Sequence, residues 1–142
     1  MNEDFITYEL AVKLKEKGFN EECFGWYYPS EVCGFDYKTT IVFNSSEYRG
    51  SNYKDMLVLH KDEKHIDAPT ISQVLKWLRE EKLILIGLAP MQEYGGDENI
   101  EWSAIIFKAG DGGLSWQENL FYPNYEQAAL AGIEYALDNL IP

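Results

Sequence analysis

"IEWSAIIFKAGDGGLSWQENLFY", residues 100–122, sets two apolar-rich runs on either side of "AGDGG". Gly and Asp adopt positive backbone dihedrals at little cost, so residues 109–113 read as the turn of a β-hairpin. Alternation then sets a register. Ile100, Trp102, Ala104 and Ile106 share one face of the first strand, and Leu114, Trp116 and Leu120 share one face of the second. A three-residue loop of Gly110, Asp111 and Gly112 places Trp116 opposite Ile106 and Leu120 opposite Trp102. The fold class turns on this hairpin, because a tight turn joins antiparallel strands whereas parallel strands need a long crossover.

Just upstream, "LILIGLA" at 83–89 is apolar on both faces, the pattern of a central strand covered on both sides or flanked closely by helices, and Pro90 is expected to end it. "DAPTISQVLKWLREEK" before it has helix grammar. Pro69 and Thr70 begin the helix, Gln73 stands where a capping box needs it, and Ile71, Val74, Leu75 and Leu78 form one stripe that Trp77 widens. On the other side of the hairpin, "NYEQAALAGIEYALDNLI" begins at Asn124 with Gln127 three residues on. Its stripe is Ala129, Ile133, Ala136, Leu137 and Leu140, which should pack on the sheet. Gly132 in mid-helix costs about 1 kcal/mol relative to Ala.

The N-terminal part opens with "ITYELAVKLKEKGF". Thr7 can cap, Leu10, Ala11 and Leu14 share a face, Gly18 supplies a left-handed stop, and Phe19 folds back onto Leu14. In "CFGWYYPSEVCGF" at 23–35, Phe24, Trp26 and Tyr28 alternate with Gly25 and Tyr27, and Tyr28-Pro29-Ser30-Glu31 has the form of a turn. This predicts a strand entering a hairpin, with its rings supplying core. Two further strands are expected at 39–43 and 55–60, joined by the polar "NSSEYRGSNYK". The mixture lacks regular strand-helix alternation and predicts an α+β fold. The expectation is one domain over 1–142, with a mainly antiparallel sheet packed with about three helices.

The formal charge of -12 over 142 residues opposes the phosphate backbone and disfavours direct nucleic-acid binding. The charge is uneven. Residues 1–82 carry 11 basic and 15 acidic side chains, whereas 83–142 carry Lys108 against nine acids, which suits a basic protein partner. The N-terminus has acids where a signal peptide needs basic residues, and no apolar run approaches the ~20 residues of a membrane span. The expected location is cytoplasmic, with Cys23 and Cys33 as free thiols and no membrane association.

Chemistry finds little to work with. Cys23, Cys33, His60 and His65 are zinc-ligand types, but nine residues separate the cysteines where structural zinc sites usually have two to four. A cysteine nucleophile beside a histidine lacks any orienting signature. Asp97, Asn99 and Glu101 alternate as in a calcium loop, yet Trp102 and Lys108 stand where that loop requires glycine and glutamate. "AGDGG" lacks the following helix and lysine of a phosphate cradle. No catalytic, metal or cofactor residues are assigned. The interaction candidates are Tyr94, an aromatic ring in a polar loop, and its acidic neighbours Asp97, Glu98 and Glu101.

Three segments, "ITYELAVKLKEKGFNEECFGWYY", "APTISQVLKWLREEK" and "YEQAALAGIEYAL", resemble in order and spacing a family of short uncharacterised bacterial proteins often found among prophage and mobile-element genes. That family carries no established activity, cofactor or catalytic residue. The resemblance therefore implies a phage-related accessory role and transfers no functional residue. The leading expectation is a non-enzymatic protein-interaction module, with nucleic-acid mimicry by surface carboxylates as a special case. The alternatives are an enzyme whose site is assembled from distant residues and a structural or assembly component.

Overall fold

A computed structural model of the chain describes residues 4–27, 31–32, 35–36, 42–43, 66–91, 100–110, 113–117 and 122–142. The elements run α1 (Tyr8–Glu16), β1 (Gly25–Tyr27), β2 (Glu31–Val32), β3 (Phe35–Asp36), β4 (Val42–Phe43), β5 (Ile66–Ala68), α2 (Ile71–Glu81), β6 (Ile84–Met91), β7 (Glu101–Lys108), β8 (Gly113–Gln117) and α3 (Tyr125–Asn139). Among the described residues every ladder is antiparallel, so the fold is α+β as the hairpin implied. The chain gathers into two compact units, Met1–Thr70 and Ile71–Pro142.

In the first unit α1 follows its sequence signals closely. The Thr7 Oγ1 accepts from the Leu10 amide at 3.4 Å, and Leu10, Ala11 and Leu14 are buried. Gly18 has φ +93, and the amides of Gly18 and Phe19 bond back to the Lys15 and Leu14 carbonyls at 3.2 and 3.0 Å. These two bonds satisfy orphan carbonyls of the last turn, and they bring Phe19 into the core.

β1 lies between β4 and β5, with Trp26 opposite both Val42 and Asp67. All three residues of β1 are buried, so Trp26 and Tyr27, which point to opposite faces, are both covered and the expected alternation does not appear in burial. Phe24 sits in the bend before β1 and is 76% exposed, so it supplies no core. The hairpin belongs to β2 and β3, where Val32 pairs with Phe35. Residues 28–30 and 55–60 lie outside the described residues. The strand β5 was not legible. Its three residues include Asp67 and run directly into Pro69, so pairing with β1 rather than intrinsic propensity makes it a strand.

Tyr27 is the centre of this core. Its ring meets Tyr8 edge-on at 5.8 Å and 87°, it clusters with Ala11 and Ala68, and its hydroxyl donates to the Ile6 carbonyl. Burial, then the charge of Glu9, pushes the phenol up to about 12 from its ordinary 10. The raised value means that this contribution to stability is complete below about pH 10 and is lost as pH rises toward 12. Tyr27→Phe should cost about 1 kcal/mol at neutral pH through the lost hydrogen bond, and should flatten the alkaline loss. Urea unfolding at pH 7 and pH 11 checks this; parallel alkaline losses in both proteins would refute it.

In the second unit, α2 buries Ile71, Val74, Trp77 and Leu78 while Leu75 stays half-buried. The chain leaves the helix through Leu83, whose φ of 57 lies in the left-handed region that costs a non-glycine residue roughly 1 kcal/mol. Its carbonyl at once accepts from the Ala109 amide at 2.9 Å, which starts the ladder of β6 on β7.

The sheet order is β6-β7-β8, which corrects the central placement of β6 and its end at Pro90, while its close flanking by helices holds, since α2 and α3 both pack on it. β7 is the middle strand, and β6 is at the edge of the described sheet. Strand β6 also runs through Pro90 to Met91. Trp102, opposite Pro90, spends its N–H and C=O on Tyr122, at 2.8 Å each. Antiparallel partners alternate between bonded and non-bonded pairs, so the Pro90–Trp102 pair is a non-bonded one and the missing proline N–H costs the ladder nothing.

Trp116 pairs with Ile106 as expected, by a different route. The strands first pair at Lys108 and Gly113, which leaves a four-residue turn with Gly110 at φ +94. A bulge at Ser115 then restores the register. Beyond it the slip grows, and Trp102 pairs with Tyr122 rather than with Leu120. Trp102 also meets Tyr125 edge-on at 5.3 Å.

α3 is capped as the sequence implied, the Asn124 Oδ1 accepting from the Gln127 amide at 2.8 Å. Its buried face is Ala128, Ala129, Gly132, Ile133, Ala136 and Leu137, with Leu140 only half-buried at the C-cap. A Cβ built on Gly132 would stand 3.0 Å from Ile86 Cγ2 and 3.3 Å from Ala104 Cβ. Glycine is there because the helix lies directly on the sheet.

Candidate interaction surface

Period-two geometry divides β6 and β7 into two faces. Ile84, Ile86 and Leu88 lie on the same side as Trp102, Ala104, Ile106 and Lys108, and this side carries α3. Ile84, Ala104 and Ile106 are fully buried there. On the other side Leu85 is paired with Phe107, Gly87 with Ile105, and Ala89 with Ser103. Glu101 begins β7 on that same side.

The second face is the unusual one. Leu85 and Phe107 are directly opposite each other, yet 49% and 43% exposed. Ile105, Gly87 and Ala89 are half-buried and Ser103 is buried, so the exposure is concentrated at one end. Isolated exposed hydrophobics are ordinary, but an apolar cross-strand pair left open is the sort of feature that marks a contact surface.

Charge around this face has a structural cause. Lys108, the single basic residue of 83–142, points to the helix side, where its Nζ donates to the Leu140 carbonyl at 3.2 Å. A cation at the C-terminal end of α3 also meets the negative pole of the helix. Lys82 Nζ stands 5.3 Å from the centroid of the Trp77 ring. Lys108 and Lys82 are thus both engaged in the fold, and Glu101 lies on the face itself.

Of the expected interaction residues, Glu101 is placed half-buried at the start of β7, while Tyr94, Asp97 and Glu98 lie outside the described residues. Ile100, expected on the inner face, is 52% exposed just ahead of the strand. Leu85 and Phe107 were missed. The apolar run "LILIGLA" contains Leu85, but continuous hydrophobicity does not distinguish a covered face from an open one.

Catalytic chemistry gains no support from the described residues. The Cys23 thiol donates to the Glu21 carbonyl at 3.4 Å ahead of β1, whereas Cys33, His60 and His65 lie outside the described residues. Among the described residues no cluster of His, Cys, Asp and Glu could hold a metal ion, and no helix is long and apolar enough to cross a membrane. An open groove of about 480 Å³ lies beside α1, with Lys15 and Asp67 as its charged lining residues. Comparison of the chain with protein-family models, curated proteins and solved structures finds no match, so the functional reading rests on the geometry of this surface.

Proposed function

We propose that the protein is a non-enzymatic protein-interaction module, a cytoplasmic accessory protein of prophage or mobile-element genes, and that it binds through the open face of β6 and β7. One observation carries this reading: the paired Leu85 and Phe107 side chains are left open to solvent on a face that also holds Glu101. Burying such a pair against a partner gains roughly 25 cal/mol per Å² of apolar surface, a gain unavailable in the free protein.

The test is affinity capture from a bacterial lysate with the tagged protein and with its Leu85→Ser, Phe107→Ser double variant, at low and high salt. A protein retained by the parent and lost from the folded double variant supports the reading. The same proteins retained by both, or none by either, would remove this face from the function.

A further inference from the structure

We infer that, independently of any foreign partner on the open face, two copies of the chain pair edge to edge through β6, antiparallel about a two-fold axis at Ile86.

The backbone of β6 points half of its polar groups outward. Trp102 spends its N–H and C=O on Tyr122, so its pair with Pro90 is a non-bonded one. Every second pair from there is non-bonded too: Leu88 with Ala104, Ile86 with Ile106, and Ile84 with Lys108. Ile84, Ile86 and Leu88 therefore direct N–H and C=O away from β7, and among the described residues no second strand meets them. Such an edge is a template for another strand, and proteins usually blunt it by shortness, charge or proline. β6 is eight residues long, no charged residue stands between Lys82 and Glu93, and Pro90 blunts only its far end.

The residues along β6 specify a copy of itself as the occupant. With the axis at Ile86, that residue bonds to Ile86 of the second copy and Ile84 bonds to Leu88 of the second copy, which uses every outward N–H and C=O of the three positions. Leu85 falls in a non-bonded pair with Gly87 of the second copy, where the backbones come closest, and the absent side chain leaves room for the leucine. The same strand thus supplies both the large residue and the gap, as an isologous contact requires. Pro90 selects this register. An axis at Leu88 would set Pro90 against Ile86, and an axis at Gly87 would set it against Ile84, each time with no N–H to donate.

Charge agrees with this choice of contact. A chain of net charge -12 repels its own copy, so approach costs least along an uncharged stretch. Salt screens that repulsion and strengthens the pairing, the opposite of its effect on an acidic surface that captures a basic partner. Phe107 lies on the middle strand, so pairing at the edge leaves it open.

Sedimentation of the full chain from low-micromolar to near-millimolar concentration should show the mass rising from one chain toward two, more steeply at high salt. Amide exchange read by NMR should slow about fivefold or more with concentration at Ile84, Ile86 and Leu88. It should stay unchanged at Leu85 and Gly87, whose amides already bond to β7. Gly87→Lys should weaken the dimer about tenfold or more. A Cβ at 87 meets only the Ile105 carbonyl oxygen, at 3.7 Å, so the single chain has room for the side chain that Leu85 of the second copy would exclude. Leu88→Pro should also weaken the dimer, because it removes an outward N–H and no bond to β7; circular dichroism checks that both variants are folded. A monomer at every concentration and salt would overturn the inference. So would a dimer without slowed exchange at those three amides, or one that tolerates Gly87→Lys.

Discussion

Gly132→Leu should lower the unfolding free energy by about 3 kcal/mol, at the upper end of what overpacking a well-filled core costs. The reason is the distance between α3 and the sheet. A single added carbon already stands 3.0 Å from Ile86 Cγ2 and 3.3 Å from Ala104 Cβ, and Ala104 lies on the middle strand β7. Ile86 can yield a few tenths of an ångström by turning its side chain, but a leucine needs α3 to lift off. Gly132→Ala is the informative companion. Alanine gains about 1 kcal/mol of helix propensity, which offsets its tight contact, so it should fall within about 1 kcal/mol of the parent on these two opposing effects. Denaturant unfolding of the three proteins measures both. A leucine variant within about 1 kcal/mol of the parent would show that the helix does not lie this close to the sheet.

Trp77→Ala should be the most damaging single truncation on α2, at about 3–5 kcal/mol for a large buried aromatic. Trp77 is buried beside Val74 and Leu78 on the stripe that faces inward. It has a second role as the ring beneath Lys82. The two contributions separate by experiment. Lys82→Gln removes the cation and should cost about 0.5–1 kcal/mol, leaving the larger remainder to packing. Comparable losses in the two variants would mean that Trp77 is not a core residue.

The helices were largely legible, for a local reason. Thr7, Gly18 and Asn124 act on amides and carbonyls within five residues of themselves, so their effect is written into a short window. The hairpin was legible in the same way near its turn, where Trp116 meets Ile106. Further from the turn, the bulge at Ser115 and the later slip to the Trp102–Tyr122 pair depend on how β8 adjusts to β7, and no short window records that.

The candidate surface divides along the same line. Glu101 stands out in the sequence as an acidic residue near an aromatic loop. Leu85 and Phe107 do not stand out there, because hydrophobicity reports a preference for burial, not whether anything provides it.

By itself, then, the sequence determined the secondary structure that closes on local hydrogen bonds, the acidic balance of 83–142, and the stripes of α1, α2 and α3. Only the tertiary structure decided that β7 is the middle strand, that Pro90 sits harmlessly at a non-bonded position, and that Gly132 makes room for the sheet. It also decided that Lys108 turns inward while Phe107 turns out. These are consequences of which strands become neighbours, and strand neighbours are chosen by the mutual packing of segments far apart in the chain.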